Sequence, residues 1–154
     1  YFAATPDDAP GIFERELEQF RSACFRDLQT ELASACERFA AAIRRVLAQA
    51  EAVGLDFEVA KFPWGALSRA ITVDRPDGLT KVIVDKKSGR VLGVGLVGAG
   101  CGELIAEGVA LIEMGATVAD LGLTVHPHPT LSEALMECAH VVEGHAIHIF
   151  VPKK

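Results

Sequence analysis

Between Val125 and Glu133 the chain reads Val-His-Pro-His-Pro-Thr-Leu-Ser-Glu, its densest run of chemistry-bearing side chains. The two X-Pro bonds hold the backbone extended, so an imidazole at His128 is aimed with little freedom. Glu133 follows one turn into a helix, and the spacing lets its carboxylate converge with the His128 ring at the helix entrance. A carboxylate bonded to one imidazole nitrogen fixes the tautomer and makes the other nitrogen a better base. That is the orienting logic of the catalytic triads. The same residues support a purely structural role. Thr130-Leu131-Ser132-Glu133 is a capping box, Thr130 accepting from the helix backbone and Glu133 reaching back. On spacing alone both roles stand.

Other candidates carry less. His126 has no partner at a telling distance and reads as a surface or core histidine, while His140, His145 and His148 make no metal-ligand spacing. Cys24, Cys36, Cys101 and Cys138 are scattered without a C-x-x-C pair. Zinc and dithiol readings fail on that spacing, which leaves reduced thiols in a cytoplasmic protein. Gly93, Gly95 and Gly98 satisfy G-x-G-x-x-G, and Asp120 lies about 20 residues beyond, as a dinucleotide fingerprint asks. In that fingerprint the glycines follow a strand and open a helix. Here the first two fall inside an apolar strand, so no cofactor-binding residues and no metal ligands are expected from this chain alone.

Positioning such a pair requires rigid elements around it. From Ile12 to Val53 there is no glycine or proline. Phe13, Leu17, Phe20, Cys24, Leu28, Leu32, Ala35, Phe39, Ile43 and Val46 recur at helical steps, predicting one long helix or a hairpin broken near Gln29-Thr30 or Ser34. After Gly54 the pattern changes to strands: Phe57–Phe62, Ala70–Val73, Leu79–Val84 and Val91–Val97, with turns at Asp77-Gly78 and Asp85–Arg90. Such short connections suit an antiparallel meander. Helical periodicity returns over Gly102–Met114, with Leu104, Ile105, Val109, Ala110 and Ile112 inward and Gly115 as the stop. A last helix runs from Thr130 to about Val142, and Ile147–Val151 forms a final strand or an extended tail. The expected fold is α+β, an antiparallel sheet with helices on one face, preceded by the N-terminal helix or helical hairpin. The division falls into a helical segment, 1–47, and an α+β domain, 48–154.

Composition narrows the function. A net charge of −6 argues against a nucleic-acid surface. The longest charge-free apolar stretch, Val91 to Gly102, is laced with glycine and too short to span a bilayer. Tyr1 to Gly11 has neither the basic region nor the apolar core of a signal peptide.

The stretch His126-Pro127-His128-Pro129-Thr130-Leu131-Ser132-Glu133-Ala134 resembles the C-terminal signature of the dihydrolipoamide dehydrogenases. So do Gly98 through Gly115, with Gly102-Glu103-Leu104-Ile105-Ala106-Glu107 and Ile112-Glu113-Met114-Gly115-Ala116, and Lys61-Phe62-Pro63-Trp64 with Ser68-Arg69-Ala70. The resemblance covers roughly Ala48 to Gly144, with several separated motifs in the right order. It implies the interface (dimerisation) domain of a flavoprotein disulfide reductase, a homodimer in the intact enzyme. It places the family's acid–base histidine on His128 and its orienting carboxylate on Glu133, serving the active site of the other subunit, and it implies a cis bond between His128 and Pro129. FAD and NAD belong, by the same resemblance, to the intact enzyme. The redox cysteine pair and flavin-binding glycine motif of the family are missing here, so redox turnover needs a partner chain carrying the flavin domain. The competing reading is a non-catalytic self-assembly module derived from the same domain.

Overall fold

The computed structural model describes residues 30–151, apart from Leu32, Cys36, Phe39, Val46, Ala50 and Val53. The chain divides into two units, Tyr1–Glu37 and Arg38–Lys154. In the first, the described residues are helical, including Ser34, where the sequence allowed a break. The expected apolar stripe before residue 30 and the possible break at Gln29-Thr30 lie outside the described residues.

In the second unit the described residues from 38 to 52 are helical (α1), and Ile43 among them is buried. A meander follows: β1 (Phe57–Pro63), β2 (Leu79–Asp85) and β3 (Val91–Val97), ordered β1-β2-β3 and antiparallel throughout. Between β1 and β2 lie a 3₁₀ turn at Trp64–Ala66 and the short helix α2 (Ser68–Thr72). After β3 come α3 (Cys101–Glu113), α4 (Val118–Leu123) and α5 (Glu133–Glu143). This is the expected α+β fold.

Register determines which face is buried. Ala60 pairs with Val82 and Val82 with Val94, while Phe62 pairs with Thr80 and Thr80 with Leu96. With side chains alternating across the sheet, those residues share the face that packs against α3 and α5. Leu135, Cys138 and Ala139 of α5 join Ala60, Phe62 and Val82 in the buried core, with Val94 and Leu96 partly buried against it. Gly108 lets α3 lie close on β3, because a Cβ there would come within 2.8 Å of Val94 Cγ1. That rotation corrects the expected helix face. Leu104, Leu111 and Ile112 pack on the core, while Val109 and Ala110 point outward.

Trp64 closes the end of the sheet. It is fully buried and its indole N–H donates to Thr80 Oγ1 at 2.9 Å. Gly78 and Gly98 lie against the ring, where a Cβ would sit 2.2 Å and 2.6 Å from its carbons. Gly93 and Gly95 lie inside β3, and Gly98 ends it against Trp64. The glycine pattern therefore serves the sheet and the tryptophan, and among the described residues it makes no phosphate cradle.

One local expectation fails, and one pair of alternatives is narrowed. Ala70–Thr72 is helical and Val73 is its C-cap, with Ala70 in the core and β-branched Ile71 and Val73 facing solvent. The tight return from Trp64 to β2 satisfies its backbone locally, Ile71 N–H to Leu67 O and Val73 N–H to Arg69 O, and tertiary context overrides a weak strand preference. Of the strand and the tail expected at Ile147–Val151, the strand is ruled out: the segment is an irregular tail. Its backbone is claimed by a side chain instead: the fully buried Glu137 accepts from the N–H groups of Ile147 and His148 and from His148 Nδ1.

Candidate functional site

The loop between α4 and α5 carries the site. Thr117 caps α4 in a reciprocal box: its Oγ1 accepts from Asp120 N–H and Asp120 Oδ2 accepts from Thr117 N–H. Thr117-x-x-Asp120 is a sequence signal for this helix, and reading Asp120 only against a dinucleotide fingerprint missed it. The chain leaves α4 at Thr124 in extended backbone and passes through Pro127 and Pro129, the His128–Pro129 bond being cis.

His128 and Glu133 meet. Nδ1 of His128 lies 2.9 Å from Glu133 Oε1. An ionised carboxylate only accepts, so Nδ1 carries the proton and Nε2 keeps the lone pair. The imidazole is 62% exposed, whereas the Glu133 side chain is 5% exposed. Among the described residues Nε2 meets no partner. A buried carboxylate thus holds an outward-facing imidazole with its basic nitrogen free.

The second oxygen of Glu133 is also used. Oε2 accepts from the Thr130 N–H at 2.7 Å, which is half of the capping box. The other half is absent, and Thr130 Oγ1 is turned toward Pro127 O, to which it donates at 2.7 Å. α5 accordingly starts at Glu133 rather than Thr130. Orienting the imidazole and receiving the helix entrance are therefore two tasks of one carboxylate. Burial opposes its charge, but the Thr130 N–H and the imidazole outweigh burial and hold the Glu133 carboxyl below its ordinary range.

His126 departs from expectation. It has two partners, Glu107 Oε1 at 2.7 Å from Nε2 and Thr124 O at 2.8 Å from Nδ1. Glu107 lies on α3, far enough along the chain that spacing gave no hint of it. His140 lies against His145, ring centroids 4.7 Å apart, and among the described residues no cluster has the makings of a metal site. Burial pushes the Cys138 thiol far above its ordinary range, so it is no nucleophile.

Comparison with known proteins decides the lineage. The family model described as the pyridine nucleotide-disulphide oxidoreductase dimerisation domain matches residues 46–139. The chain belongs to that family. Among curated relatives, it is 52% identical over 101 residues to the dihydrolipoyl dehydrogenase of Thermus scotoductus, covering 66% of this chain and 22% of that protein. It is 49% identical over 96 residues to the dihydrolipoyl dehydrogenase of Vibrio cholerae, covering 62% and 20%. The chain thus spans about a fifth of the length of these relatives. Among solved structures, it is similar to the HOCl-induced flavoprotein disulfide reductase RclA from Escherichia coli, with a TM-score of 0.59 and 30% identity over 62% of this chain and 22% of that one. LpdA from Mycobacterium tuberculosis shares the fold, with a TM-score of 0.58 at 23% identity and coverage of 62% and 21%. The dimerisation-domain match covers all three strands, α2 to α4, and α5 as far as Ala139, so both His128 and Glu133 fall within it. Among the described residues, no helix of this dimerisation domain is long and apolar enough to cross a membrane.

Proposed function

We propose that this chain supplies the His128–Glu133 acid–base pair to the active site of a dihydrolipoyl dehydrogenase-like disulfide oxidoreductase, acting across a homodimer on the partner subunit's site. The carrying observation is the exposed His128 ring, held through Nδ1 by a buried carboxylate with Nε2 unpartnered. Nε2 takes the proton of a dihydrolipoamide thiol, and the resulting thiolate attacks a disulfide, forming a mixed disulfide as the old S–S bond breaks and its other sulfur leaves as thiolate, since thiolate rather than thiol is the nucleophile. Glu133 stabilises the imidazolium so formed and fixes the ring for return of the proton.

FAD and NAD⁺ belong to the flavin-bearing part of such an enzyme and supply its electron acceptors there. The fingerprint-like glycines are not shaped for a dinucleotide, because Gly93 lies against Ile83 and Gly98 against Trp64. The free Cys101 and Cys138 suit a reducing compartment, which supports a cytoplasmic setting.

The test is a chimera. The C-terminal domain of the Thermus scotoductus dihydrolipoyl dehydrogenase is replaced by the matching part of this chain, and NAD⁺-dependent oxidation of dihydrolipoamide is measured. We expect turnover, and a loss of about 10²–10⁴-fold with His128→Gln, the usual worth of a positioned base. A folded, flavin-loaded chimera whose rate is indifferent to His128→Gln would sink the reading, leaving a self-assembly module.

A further inference from the structure

The His126–Glu107 pair lies outside the chemistry assigned to His128, yet it is the more enclosed of the two histidines, its side chain only 3% exposed. Both ring nitrogens face oxygen acceptors. Thr124 O is a backbone carbonyl and can only accept, and Glu107 Oε1, when ionised, can only accept. Only a doubly protonated ring satisfies both contacts. The chain thus encloses an imidazolium, paired with one carboxylate on α3, two residues before the imidazole at His128. The Glu133 carboxylate adds to the field that favours this charge, and Glu107 and Glu133 are the ionised groups that bear on it from α3 and α5.

We infer that His126 is a positioning residue, a charged clamp that ties the loop carrying His128 to α3 and so holds the His128 ring against Glu133. This rests on the acid–base reading of His128 for its purpose, but not for its geometry. On its far side the loop is tied to α5 through Glu133, which receives His128 and Thr130, whereas Val125 beside His126 is almost wholly exposed. Its internal bonds, such as Thr130 Oγ1 to Pro127 O, join the loop to itself. The bond from His126 to Glu107 joins it to α3, a helix of the core.

Substitution at Glu107 separates charge from tether. Glu107→Gln keeps a tether to a neutral ring, because its amide can donate to Nε2 while Nδ1–H still meets Thr124 O. Glu107→Leu removes the tether altogether. The experiment is ¹H–¹⁵N long-range correlation of the histidine rings in the ¹⁵N-labelled full chain near neutral pH, with far-UV circular dichroism and Trp64 fluorescence reporting the fold. In the wild type His126 is expected to show both ring nitrogens protonated. In Glu107→Gln it becomes a neutral Nδ1–H ring while His128 retains its Nδ1–H signature, and in Glu107→Leu that His128 signature is lost with the fold intact. A singly protonated His126 in the wild type would overturn the clamp. So would a Glu107→Leu chain whose His128 signals match the wild type. Should Glu107→Leu fail to fold, Glu107→Gln decides alone: a His126 ring unchanged from the wild type contradicts the proposal. All these signals are read without turnover, so a catalytically silent chimera would refute the role of His128 while leaving the clamp to its own test.

Discussion

Glu133 is the residue on which the account turns, because its two oxygens satisfy two separate donors. The sequence made both roles visible, and the choice between them was not needed. Glu133→Gln retains an amide near Thr130 but can no longer act as a pure acceptor for His128. It should weaken the Nδ1–H preference of the ring, and in an assembled enzyme it should lower turnover by about 10–10²-fold, less than loss of the base itself. Ring ¹⁵N shifts and steady-state rates check the two parts. The pair also sets an acid limit. Glu133 has a depressed carboxyl, so its stabilisation is present above the unfolded value near 4.5 and is lost as pH falls through its lower folded value. His126 sets the opposite limit. Its hydrogen bond to Glu107 raises it above the ordinary histidine value of 6.5, so its stabilisation is complete below 6.5 and disappears as pH rises through the raised value. Urea midpoints across pH 6 to 9 should fall for the wild type and flatten for Glu107→Gln. His126 was illegible in the sequence for a plain reason: its partner sits on another helix, and no periodicity links a loop residue to α3.

At the scale of elements, the strands were the most legible part. Their alternation and the short turns between them leave few options, and β3 occupies Val91–Val97 as expected. The helix faces were harder. Val109 has the right spacing to face inward, yet Gly108 turns toward β3 because its missing side chain lets the backbone approach Val94. Periodicity scores a glycine as neutral, so this signal was invisible. The short β-branched run Ile71-Thr72-Val73 misled for the converse reason, since local turn geometry outweighed propensity. Gly98 offers a direct check of the glycine pattern's structural role. Its φ of 146° is one that side chains rarely adopt, and a Cβ would meet the Trp64 ring. Gly98→Ala should cost about 1–3 kcal/mol of stability and shift the emission of Trp64, the single tryptophan. Urea unfolding followed by fluorescence reads both, and a stability equal to wild type would contradict this packing.

For the whole molecule, the exposed apolar residues matter most. Val109, Met114, Leu123 and Val125 lie on or beside α3 and α4 with more than half of their surface exposed. Apolar surface of this kind marks contact sites, and in a dimerisation domain a second copy is the natural cover. Sedimentation should show self-association at micromolar concentration, and Met114→Glu with Leu123→Glu should shift it toward monomer. A clean monomer at high micromolar concentration would remove the prediction. The central claim reaches further, that His128 of one subunit serves the site of the other. Mixed dimers of the chimeric reductase test it most directly, one subunit carrying His128→Gln and the other lacking the redox cysteines of its flavin part. Neither homodimer should turn over dihydrolipoamide appreciably. If His128 acts across the interface, the mixed dimer holds one complete site and regains turnover; if it stays as inactive as its parents, the account is contradicted.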